Sequence, residues 1–113
     1  MNDEMRNQQE SICNRFGATI VACPGDSKVG VARNIRSGGP PVNGLRIKPE
    51  GDATGWYIWT GQWSDGPEFF VPLHVTHLVQ WCPGALPYLL LPPGWRFQVA
   101  PNHEDVWFDS DIL

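Results

Sequence analysis

Hydrophobic and polar positions alternate most regularly near the end of the chain. From Gly94 to Ala100, Trp95, Phe97 and Val99 fall on one side and Arg96 and Gln98 on the other, the period of two that a strand imposes. Pro101-Asn102 reads as a turn. From Asp105 to Asp109 the alternation resumes, with Val106 and Phe108 on one face and both aspartates on the other. Two such strands across a short polar loop predict a hairpin.

The earlier patterns are shorter. Ala18 to Cys23 is apolar and β-rich and predicts a strand stopped by Pro24-Gly25. Val29 to Ile35 predicts a short strand or a helical turn. Val42 to Lys48 alternates, Leu45 and Ile47 against Arg46 and Lys48, and predicts a half-exposed strand with both cations on its polar side. Trp56 to Thr60 carries aromatics on both faces, which predicts a strand central in its sheet. Gly61 to Pro67 is a loop, after which Phe69-Phe70-Val71 re-enters the core. Val75, Leu78, Val79 and Cys82 stand at i, i+3, i+4 and i+7 and predict a helix over 73–82, stopped by Pro83-Gly84. Residues 85–91 predict a second helical turn. Met5, Ile12 and Phe16 form a weak helical stripe near the N-terminus. Together these predict an α+β fold: a twisted, mostly antiparallel sheet of about four to six strands with one or two short helices packed on one face. Residues 1–16 form an N-terminal extension or short helix, and 17–113 a single domain.

Composition agrees with a folded domain. Hydrophobic residues make up 42% of the 113, and six are Trp, which excludes compositional disorder. Eleven Pro and twelve Gly keep the elements short. The polar, acidic start (Asn2, Asp3, Glu4) lacks the pattern of a secretory signal, and no apolar run is long enough to span a bilayer; a cytoplasmic protein is expected. Cys13, Cys23 and Cys82 are odd in number and far apart, so reduced, buried thiols are expected.

Charge is uneven along the chain. Residues 27–49 hold Lys28, Arg33, Arg36, Arg46 and Lys48 with no acid, and residues 50–113 hold eight acids against Arg96. The acidic half argues against nucleic acid and suits a basic protein partner, unless the two halves neutralise each other on the surface.

No reaction chemistry stands out. The Gly25-x-x-x-x-Gly30 spacing lacks the Lys-Ser/Thr pair of a phosphate loop, because Val31-Ala32 follow. His74 and His77 have a spacing that would suit one metal ion, but boundary or capping roles explain them more simply. Cys23 has no neighbour to activate it except Lys28. Asp105 and Asp109 stand ~13 Å apart along a straight strand, too far for a glycosidase pair at ~5–9.5 Å, and pairing with Arg96 accounts for them better. A non-catalytic protein without cofactor or metal is expected. Trp63, in a loop, has the best chance of exposure among the indoles, and aromatic residues concentrate at interface centres. The expected partner-binding residues are therefore Trp63, Asp65 and Glu68 in the loop and Glu104, Asp105 and Asp109 on the hairpin.

Three segments carry a family resemblance: Pro-Pro-Gly-Trp-Arg-Phe (92–97), Glu-Asp-Val-Trp-Phe-Asp (104–109) and Gly-Trp-Tyr-Ile-Trp-Thr-Gly (55–61). Over roughly residues 17–113 the chain resembles a bacterial immunity-protein family of polymorphic toxin systems, the thirty-third such group. The resemblance implies a protein that binds a cognate toxin and performs no catalysis; neutralisation by occlusion is the mechanism expected of a compact domain without a catalytic constellation. The resemblance brings no site residues with it. The alternatives from the residues alone are a small-ligand or carbohydrate-binding module using exposed Trp, or a structural domain.

Overall fold

The computed structural model describes residues 2–113; Met1, the first residue of the expected extension, lies outside them. Six strands form one sheet: β1 (Lys28–Ala32), β2 (Val42–Arg46), β3 (Ala53–Thr60), β4 (Phe70–His74), β5 (Trp95–Ala100) and β6 (His103–Phe108), in the order β4-β1-β3-β2-β5-β6. β1 and β3 are parallel and every other neighbouring pair is antiparallel. The α+β class and the mostly antiparallel sheet are as the sequence predicts. β3 is central, and the β5–β6 hairpin turns at Pro101-Asn102, with Asn102 at φ 63.

Alternation divides the sheet into two unlike faces. Val29, Val31, Trp56, Ile58, Phe97 and Val106 point to one face, where they are buried with Val75, Leu78, Leu86, Leu89 and Leu91. The helical segments cover this face: α1 (Asp3–Phe16), a 3-10 turn (Val75–His77), α2 (Leu78–Trp81) and a longer 3-10 stretch (Pro83–Tyr88). α1 starts where the Asn2 side chain accepts the Met5 N–H at 2.9 Å and stops at Gly17, whose φ of 75 suits glycine. It is docked rather than loose: Cys13 is buried, and the buried Gln9 amide donates to the Leu86 carbonyl at 2.9 Å.

Three local expectations are corrected. Residues 18–23 are not a strand. Their backbone is taken up elsewhere: the Val21 N–H donates to Leu90 O at 2.9 Å, and the Val21 and Ala22 carbonyls accept from Arg46. The 73–82 helix is also shorter than expected, covering only 75–81. β4 runs on through His74, and the Val75 and Thr76 N–H groups donate to Ser27 O and Gly25 O, so helix begins only with a 3-10 turn and amounts to four α residues before Pro83. Val75, Leu78 and Cys82 still face the core, but Val79 is 48% exposed.

Arg46 is the third correction. It is 1% exposed, on the covered face with Trp56. Its Nε donates to Thr54 O at 2.9 Å, one terminal nitrogen donates to Leu91 O at 2.9 Å and to Val21 O and Leu89 O at 3.3 Å, and the other to Ala22 O at 2.9 Å. A cation held by carbonyl dipoles joins the sheet to two irregular segments. Alternation had assigned the right side of β2 to Arg46, but the side taken to be solvent is the core.

Candidate functional site

Among the described residues, no α-helix covers the second sheet face. Its residues are the other half of each strand: Phe70 and Pro72 on β4, Lys28, Gly30 and Ala32 on β1, Tyr57 and Trp59 on β3, Asn43 and Leu45 on β2, Arg96 and Gln98 on β5, and His103, Asp105 and Trp107 on β6. Register lines them up across the strands. One row runs Trp59, Asn43, Gln98, Asp105; the next runs Tyr57, Leu45, Arg96, Trp107. Ala32, Leu45 and Trp59 form a small buried cluster here, with Tyr57, Phe69, Phe70 and Ile112 packed around it.

The 61–69 loop folds back over one end of this face. The Trp63 ring meets Trp59 edge-on at 4.9 Å between centroids and lies 5.1 Å from Phe70, while Phe69 and Phe70 are 4.8 Å apart. The Trp63 indole N–H donates to the Asp65 carboxylate at 2.6 Å, which holds the ring in place. Trp63 nevertheless remains 46% exposed. Four aromatic rings thus present a preorganised apolar patch at low further entropy cost.

The polar end of the face is wired side chain to side chain. Gln98 donates to the Asn43 side-chain oxygen at 3.0 Å, and His103 Nε2 lies 3.1 Å from the Gln98 carbonyl oxygen. Asp105 stands opposite Gln98 and is exposed. From Trp59 to Asp105 is three strand steps, about 14 Å. The aromatic patch and Asp105 therefore lie at the two ends of one cross-strand row.

The six expected contact residues are thus distributed over three settings. Trp63, Asp65 and Glu68 share the loop, where the Glu68 carbonyl also accepts from Arg33 Nε at 2.6 Å. Asp105 is on the same sheet face, and Asp109 follows at its rim. Glu104 points to the opposite face, engaged by Arg15 of α1 and by the Tyr88 hydroxyl. Of the two aspartates expected to pair with Arg96, Asp109 does so at 3.1 Å, while Asp105 does not, because register sets it opposite Gln98; Arg96 also lies over the Trp107 ring at 5.4 Å. The Asp109 carboxyl is held below its usual pKa, first by the Asp111 backbone N–H and then by Arg96. Asn43, Gln98 and His103 were not foreseen, because they meet only through the pairing of β2, β5 and β6.

A groove of about 350 Å³ opens beside the aromatic patch, between Gly30, Tyr57, Phe70 and Pro72, with Lys28 and Lys48 among its lining residues. Lys28 is paired with Asp52 at 3.1 Å. His74 and His77 have ring centroids 5.9 Å apart, and among the described residues no cluster of three or more His, Cys, Asp or Glu is arranged to hold a metal. All three cysteines are buried and free, and burial raises each thiol's pKa, that of Cys23 to about 11 against a partial pull down from Arg46. None is poised as a nucleophile. Among the described residues no helix is long and apolar enough to cross a membrane.

The family model of the Imm33-like domain matches residues 8–109. The chain belongs to this immunity-protein family, and the match reaches from α1 through β6. No curated protein and no solved structure gives a significant match.

Proposed function

We propose that this chain is a non-catalytic immunity protein that binds a cognate bacterial toxin in the cytoplasm of the producing cell and neutralises it by occlusion. The observation that carries the reading is the Imm33-like match over 8–109. The geometry supports it with a surface of the right kind. A rigid sheet presents exposed Trp63 over Trp59 and Phe70 at one end and the free carboxylate of Asp105 at the other. The contact set is Trp63, Asp65 and Glu68 in the loop, Asp105 on the sheet face and Asp109 at its rim, while Glu104 stands apart on the covered face, engaged by Arg15 and Tyr88. An aromatic anchor with a charged margin resembles the centre and rim of stable interfaces, and acidic groups speed encounter with a basic partner.

Co-expression with the product of the adjacent upstream gene tests this, scored by growth and by co-purification. Rescue of growth with a stable complex is the expected result. Rescue without a complex, or no rescue, overturns it. One observation favours a small-ligand module instead: the groove beside Tyr57 and Phe70. That reading requires a small molecule to shift the resonances of Gly30 and Tyr57 without any protein partner.

A further inference from the structure

The two edges of the sheet are built differently. Backbone N–H and C=O groups of an edge strand alternate between the ladder and the outside. On β4, Phe69 O and Val75 N bond toward β1 and its flanks, so Phe70, Pro72 and His74 face out. The middle outward position is a proline, which has no N–H to offer, and this blocks strand addition at that edge. On β6, Asp109 N bonds to Gly94 O, and the register of 95–108 to 100–103 then turns the backbone of Glu104, Val106 and Phe108 outward. No proline interrupts these three. Outside the β5 ladder, no hydrogen bond among the described residues reaches their backbone groups.

We propose that the outer edge of β6 receives an extended, basic strand of the toxin, adding a seventh strand to the sheet. This deepens the proposed function and rests on it. Main-chain pairing supplies affinity at such an edge, and alternate side chains supply specificity. The side chains of β6 state what the incoming strand carries. On the open face it runs beside His103, Asp105 and Trp107. Glu104 and Asp109 are already matched by Arg15 and Arg96, so Asp105 is the carboxylate left to select a Lys or Arg. On the other face it runs beside Phe108, which is 51% exposed at the rim and asks for an apolar neighbour. The charge of residues 94–113, four acids against Arg96, draws a basic segment rather than an acidic one.

Amide hydrogen exchange on the wild-type chain, free and with the co-expressed upstream gene product, tests this directly. The expected result is exchange slowed at least tenfold at Glu104, Val106 and Phe108 N–H in the complex. Glu104→Pro removes an outward N–H without touching the ladder, and Glu104→Ala removes the same side chain. The proline variant is expected to bind at least tenfold more weakly than the alanine variant, and Asp105→Lys to bind at least tenfold more weakly than wild type. If Glu104→Pro does not fold, the wild-type exchange data decide alone. A complex whose three outward amides exchange as in the free chain overturns the edge pairing and leaves the immunity reading standing. Absence of any complex overturns both. Protection that rises with the chain's own concentration, without the toxin, overturns the basic partner in favour of a second copy.

Discussion

Replacing Arg46 by methionine tests how this sheet is held to its irregular cover. Methionine keeps most of the stem volume and removes the guanidinium. Five carbonyls then lose a donor: those of Thr54, Val21, Ala22, Leu89 and Leu91. They are not equal. Val21 and Ala22 belong to a part-buried segment that water can reach. The Leu89 oxygen keeps the Trp56 indole N–H as a donor at 2.9 Å. The buried Thr54 and Leu91 oxygens, each bonded at 2.9 Å, bear most of the loss. At ~1–3 kcal/mol for each buried group left without a partner, that amounts to roughly 2–6 kcal/mol. Removing the cation also removes its own desolvation cost, and no carboxylate is left with a stranded charge, so the net loss lies in the lower half of that range. The net expectation is a loss of about 3 kcal/mol, or a midpoint about 12 °C lower at roughly 4 °C per kcal/mol for a domain of this size. Thermal unfolding followed by Trp fluorescence measures it. Arg46→Lys, a point charge with three donors, is expected to fall between methionine and wild type. A methionine variant that melts within 2 °C of wild type would refute the idea that Arg46 ties residues 21–22 and 89–91 to the sheet.

Further outcomes follow from other sites. Gly55→Ala should fail to fold or melt at least 10 °C lower, because a Cβ at φ 90 would overlap the Ile47 carbonyl; circular dichroism reports this. Arg96→Ala should cost about 1 kcal/mol in urea unfolding, since its pair with Asp109 is half-buried and its stacking on Trp107 is partial. The Cys23 thiol, raised by burial to about 11 from its ordinary 9.0, stays neutral in the fold while the unfolded chain ionises, so stability is full below pH 9 and falls as pH rises toward 11; Cys23→Ser should flatten that part of the profile. Trp63→Ala should shift the melting midpoint by less than 3 °C, because the ring is 46% exposed, yet weaken toxin binding at least tenfold by isothermal calorimetry.

How far the fold was legible depends on whether its cause is local. The β5–β6 hairpin and the central β3 were legible because each follows from alternation and turn residues within a dozen positions. The failures share one cause, a partner distant in sequence. Residues 18–23 have a strand's composition, yet their carbonyls go to Arg46, more than twenty positions on. Val75 to Cys82 has helical spacing, but its first N–H groups are claimed by Ser27 and Gly25. At the candidate site, the aromatic content of the 61–70 loop was legible and its packing on Trp59 was not. The row from Trp59 through Asn43 and Gln98 to Asp105 requires the order β3-β2-β5-β6, which no local pattern encodes. Glu104 shows the same limit in reverse. Its neighbours in sequence marked a charged rim, while its partners Arg15 and Tyr88 draw it to the covered face.

The most direct test of neutralisation by occlusion is a titration of the purified toxin's activity with this chain. An occluding partner removes activity linearly and completely at a fixed molar ratio, and the end point does not move with incubation time. Activity lost at far below one chain per toxin, with an extent that grows with time, would contradict occlusion and mark an enzyme; activity untouched at a large excess would contradict immunity itself.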